Sequence, residues 1–174
     1  MRTLPYNREV KGESLRSAFA GWKHGSVHCL EAAFLAAAIL EKRGYPPLVM
    51  SLESVDRLDH VIYVFKEKSG WGSIARSRDE GLHGRAPVFR SLRELTWSYF
   101  DPYVDKSGRI RGYGMANLDD IGVRWRDGTR NLWQAEQHLI HMPHVRIKSS
   151  NVRYRKLLAA YHRNGPLLKG PNWW

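Results

Sequence analysis

The stretch that decides the fold is CLEAAFLAAAILEK, residues 29–42, followed by RGYPP at residues 43–47 and LVMSL at residues 48–52. Alanine and leucine dominate the first segment, and both are strong helix formers. Apolar side chains fall on nearly every face, so the spacing predicts a central, buried helix from Cys29 to Lys42. Its end is marked by Gly44, suited to a left-handed cap, and by Pro46 and Pro47, which forbid continuation. A strand follows at Leu48–Leu52, and a second opens at Asp59-His60 and runs through Phe65. After the turn KEKSG, residues 66–70, a third strand returns over Trp71–Ser77 and makes a hairpin.

Outward from this core the signals are weaker. Residues 1–12 read as an irregular arm and Ser14–Trp22 as a short helix starting at Glu13 or Ser14. Residues 78–87 (RDEGLHGRAP) read as an exposed loop, and residues 101–122, with Gly108, Gly112 and Gly114, as loop-rich. Helical spacing recurs at Leu92–Tyr99, Asn131–Met142 and Asn151–His162. The tail GPLLKGPNWW, residues 165–174, reads as a second arm. At 174 residues the expectation is a single domain over residues 1–174.

The chain carries 28 Lys and Arg against 17 Asp and Glu, a net charge of +11. No carboxylate side chain follows Glu136, while Arg146, Lys148, Arg153, Arg155, Lys156, Arg163 and Lys169 do. Such a field attracts polyanions, nucleic acid among them. The aromatic residues come with no RNA- or DNA-binding motif, so nucleic acid is not the favoured partner. No apolar run approaches the roughly 20 residues of a membrane span, and the N-terminus lacks the apolar core of a secretory signal. The expectation is a cytoplasmic protein without a membrane partner. His138, His141 and His144 are spaced three and three, but Pro143 breaks the helix before the third, so neither a metal nor a cofactor is expected.

Cys29 is the chain's one cysteine, so it has no internal disulfide partner and no CxxC zinc pair to join. At the first turn of the strongest helix it meets unpaired backbone N–H groups that favour a thiolate. His60, at a strand start after a polar loop, can reach a helix N-terminus and serve as general base. If Lys66 faces Trp71 in the hairpin, position 60 lies opposite Ser77, which makes Ser77 the candidate to orient the imidazole. Glu31 reads as a carboxylate favoured by the helix dipole. The loop beyond the hairpin concentrates donors, and Arg76, His83 and Arg85 are candidates to hold an acidic or carboxylate-bearing substrate.

The run Cys29-Leu30-Glu31-Ala32-Ala33, the long alanine-rich helix ending at Gly44, Asp59-His60 and the return through Trp71 resemble the core of the transglutaminase-like superfamily. The stretch from His28 to about Tyr103, through DHVIYVF, GWGSIARS, GLHGR and PVFRSLRELTWSY, resembles a bacterial branch of it. That resemblance implies an α+β, papain-like fold, with the nucleophile opening a central N-terminal helix packed on an antiparallel sheet. It implies cysteine-dependent acyl transfer, by hydrolysis or transamidation, on a peptide or small-molecule amide. The family usually places an aspartate four residues after the hairpin tryptophan, and here that position is Ala75. This departure raises the alternative of an inactive module of the same fold that holds an anionic partner through its basic loop and C-terminal region.

Overall fold

The computed structural model describes residues 3–10, 12–57 and 59–167. The protein is α+β: one six-stranded sheet in the order β4-β3-β2-β1-β5-β6, every neighbouring pair antiparallel, with five α-helices around it. The strands are β1 (Leu48–Ser54), β2 (His60–Glu67), β3 (Gly70–Ile74), β4 (Arg85–Phe89), β5 (Ile110–Asn117) and β6 (Val145–Arg146). The helices are α1 (Ala18–His24), α2 (Cys29–Leu40), α3 (Leu92–Tyr103), α4 (Trp133–His141) and α5 (Asn151–Asn164).

The continuous apolar run of β2 follows from its position, since both faces of this central strand are covered. Val61, Tyr63 and Phe65 join Ala33, Phe34 and Ala37 of α2 in one core, together with Trp125, which is fully buried, and Leu139 of α4. Ile62 and Val64 join Met50 and Leu52 on the opposite face, under Leu95, Tyr99 and Phe100 of α3. Four alanines of α2, Ala32, Ala33, Ala36 and Ala37, are at most 1% exposed, and small side chains let this helix lie close in. Helix α2 starts at Cys29, as its composition predicts, and gives way after Leu40 to a 3-10 turn that closes at Gly44 (φ 81°). Among the described residues no helix is long and apolar enough to cross a membrane.

Several elements differ from the sequence expectation. Helix α1 is capped by Ser17, not by Glu13 or Ser14; residues 13–17 run on the surface of α2 and α4 instead, and the Leu15 carbonyl accepts from Leu132 N–H. Strand β3 leaves the sheet after Ile74, three residues earlier than expected. Part of the loop expected at 78–87 is strand β4, an edge strand that tolerates Pro87 at the register shift in its pairing with β3. The loop expected at 101–122 contains β5, paired to β1 from Leu48 to Ser54. Its glycines hide it from a propensity reading but serve close packing. A Cβ at Gly114 would stand 2.7 Å from Met142 Cε and 2.9 Å from the Pro143 carbonyl oxygen. The chain leaving α4 crosses directly over this strand. Residues 3–10 of the expected first arm are in place against the body, and residues 168–174 of the second lie outside the described residues.

Gly114→Val tests the crossing. Because a backbone oxygen must give way, we expect a loss of about 1–3 kcal/mol. That corresponds to a Tm lower by roughly 2–12 °C for a chain of this size, read by thermal denaturation.

Candidate active site

Two walls form the site. The first is the start of α2, where His28 is the N-cap and Cys29 the first helical residue. Glu31 fixes this wall. Its fully buried carboxylate accepts from Arg16 Nε at 2.7 Å, Arg16 Nη2 at 2.9 Å, the Arg16 backbone N–H at 2.8 Å and the His28 backbone N–H at 3.2 Å. Its role is therefore a buried ion pair and a capping box, beyond the dipole interaction expected from sequence. His28 Nε2 donates to the Ser14 carbonyl at 2.9 Å, which leaves its Nδ1 facing the helix start, 3.3 Å from Leu30 N.

The second wall is the mouth of β2 with residues 76–83. The hairpin register is the counted one, with Lys66 opposite Trp71 and Tyr63 opposite Ile74. His60 is buried, opposite Leu52 at the end of the ladder. Its ring lies 6.0 Å from that of Tyr99, and its Nε2 lies 3.0 Å from the Leu82 carbonyl oxygen. A carbonyl only accepts, so Nε2 carries a hydrogen, and Nδ1 is the nitrogen left to exchange a proton.

The two walls meet at the thiol. Cys29 is half-buried as a residue, and its sulfur lies deep enough that burial is the strongest influence on it and pushes its pKa up. Hydrogen bonds to the His28 and His60 side chains, and then the charges of both rings, oppose this and bring the thiol down to about 5. Burial pushes His28 down, but its hydrogen bond to Cys29, the charge of that sulfur and then the charges of Glu31 and Glu9 lift it to about 9. Nδ1 of His28 thus has two alternative duties: capping Leu30 N when neutral, or donating to the thiolate when protonated. Both rings thus favour the thiolate, and the thiolate in turn favours a protonated His28. The Cys29 backbone N–H, in the first turn, has no intrahelical acceptor and points where negative charge is stabilised.

The other sequence candidates stand elsewhere. The Ser77 hydroxyl accepts from Asp79 N–H at 3.2 Å, and at the His60 Nε2 the Leu82 carbonyl takes the place expected for Ser77. The strand's early end explains this, because the chain turns away before the position opposite His60. Asp59 accepts from Ser54 N–H at 2.9 Å and so is held on β1. Arg85 is fully buried, so it does not bind substrate as expected from sequence. Its guanidinium donates to the carbonyls of Gly81, His83, Gly84 and Ser98 and stacks 4.1 Å from the Tyr99 ring centroid. Arg76 donates from Nε to the Leu4 carbonyl at 2.7 Å, and its Nη1 lies 3.1 Å from His83 Nε2. That same Nε2 is 3.1 Å from the Ser77 carbonyl, and it can accept from Arg76 or donate to Ser77, one at a time. Burial, with the Arg76 charge added against the Ser77 bond, holds His83 below the ordinary imidazole range. The loop's cations are largely spent on the fold. Among the described residues no cluster of three His, Cys, Asp or Glu side chains has metal-binding geometry.

His28 is the member that sequence reasoning missed. The signal was present, since a Glu three residues after a potential N-cap marks a helix start, but histidine is an unusual cap. No model of a protein family matches this chain, and no curated protein does either.

Two outcomes follow from this geometry. The rate of Cys29 alkylation by iodoacetamide titrates with a midpoint near pH 5, and His28→Ala or His60→Ala each raises that midpoint by about one unit or more. Arg85→Met removes a charged donor from four carbonyls, of which only that of His83 keeps a side-chain donor, the Tyr99 hydroxyl, and urea denaturation will show a loss of about 3 kcal/mol or more.

Proposed function

We propose that the chain is a cysteine-dependent acyl-transfer enzyme of the transglutaminase-like, papain-like type, acting on an amide or related acyl carbon. The observation that carries this reading is the placement of one thiol at a helix start, with His28 at the cap of the same helix and His60 at a strand end, both of which pull its pKa down. The Cys29 thiolate attacks the acyl carbon, and the Cys29 backbone N–H stabilises the oxyanion. The thiol proton passes to the paired imidazole, and His60 returns it to the leaving amine. Water or an amine then resolves the thioester, with the same ring as general base.

The Leu82 carbonyl supports the tautomer that this step needs. It orients the ring but, being uncharged, stabilises imidazolium less than a carboxylate does. With Ala75 at the family's aspartate position, this predicts slow turnover. His28 offsets part of the loss by sharing the proton.

The alternative, a non-catalytic module for an anionic partner, draws on the basic C-terminal region, where α5 exposes Arg155, Lys156 and Arg163. It draws less on the loop, where Arg76 and Arg85 are engaged.

Steady-state release of p-nitrophenol from p-nitrophenyl acetate tests the catalytic reading. Turnover beyond one equivalent is expected for the wild type. It disappears in Cys29→Ala and falls by about 10²–10⁴ in His60→Ala. Equal turnover in wild type and Cys29→Ala would sink the reading.

A further inference from the structure

Residues 4–7 run across the site and make contacts with both of its walls. The Val27 N–H donates to the Pro5 carbonyl at 3.2 Å, and Asn7 N–H donates to the Val27 carbonyl at 3.0 Å, which makes a parallel bridge of Tyr6 with Val27. Val27 stands two residues before the nucleophile. On the other side the Leu4 carbonyl accepts from Arg76 at 2.7 Å, on the segment that leads to Leu82, the acceptor of the His60 ring. Residues 4–7 therefore join the cysteine wall to the histidine wall, bending at Leu4 and bridging as a strand at Tyr6. The half-buried Tyr6 lies between these contacts and near enough to Cys29 to feel its charge.

This segment is fastened by main-chain bonds and one guanidinium rather than by apolar packing. Beyond Tyr6 it skirts a cavity of about 600 Å³ lined by Asn7, Glu9, Ser14, Arg16 and Ser26. Glu9, at the far end, has a left-handed backbone (φ 55°), a conformation that a residue with a side chain adopts at a cost.

We propose that residues 4–7 are a self-inhibitory strap, lying as an extended peptide in the track beside Cys29 where an extended peptide substrate would lie, and that Arg76 is its latch. The groups it uses, the Val27 N–H and carbonyl and the Arg76 guanidinium, read a main chain rather than side chains, so the track takes a peptide by its backbone. The peptide-substrate part rests on the acyl-transfer reading above; the covering of the thiol does not.

Arg76→Ala and Tyr6→Ala in the full chain separate the two. The readout is the limiting iodoacetamide rate at Cys29, measured at about pH 7.5, where the thiol is already ionised. With one cysteine in the chain, every label reports that site. Losing a hydrogen bond to a charged group opens the strap and raises this rate about tenfold in Arg76→Ala; Tyr6→Ala raises it as well. Circular dichroism and Tm identify a variant that does not fold, and the other variant then decides. A rate at or below the wild-type value in a folded variant overturns the strap, whatever the ester turnover shows. Loss of Cys29-dependent turnover alongside faster labelling would instead remove catalysis and leave the strap standing.

Discussion

The Glu31 carboxylate is the constraint on which the site depends. It is fully enclosed and takes four hydrogen bonds, three from Arg16 and one from the backbone ahead of the nucleophile. A charge at that depth is tolerable only when its lone pairs are filled, and filling them fixes where residues 16 and 28 stand relative to α2. The Ser14 carbonyl, beside Arg16, in turn receives the His28 ring. Through this chain of contacts the start of the helix, the cap and the thiol are set together.

The second constraint is the end of a strand. His60 shares the α3 face of the sheet with Ile62 and Val64, not the α2 face, yet as the first residue of β2 it stands where the sheet stops and α2 begins. A residue in mid-strand would have been confined to one layer. The early departure of β3 after Ile74 completes the arrangement, because the chain that leaves there supplies the Leu82 carbonyl. Helix, strand end and loop each bring one group, and the candidate site lies at their junction.

The helix at residues 29–40, the hairpin and its register were legible because composition and periodicity act locally. Cys29 at a helix start and His60 at a strand start were legible too, each from its own segment. What was not legible depends on contacts distant in sequence. Strand β5 contains two glycines whose purpose is the chain crossing above them, which no local propensity records. Arg85 sits in a stretch that reads as a solvated loop, and only its enclosure by four carbonyls reveals a structural ion. Counting residues placed Ser77 opposite His60 correctly for a longer strand; the strand ends first.

The sheet's margins carry a separate meaning. On one side β4 has Pro87 at its centre, which has no N–H to offer a visiting strand, and on the other β6 is only two residues long. Neither border presents the regular row of donors and acceptors on which sheets of different molecules zip together. A central hairpin as greasy as residues 60–65 would otherwise be a hazard at high concentration, and these two blunted rims keep it from templating fibrils while the chain is folded.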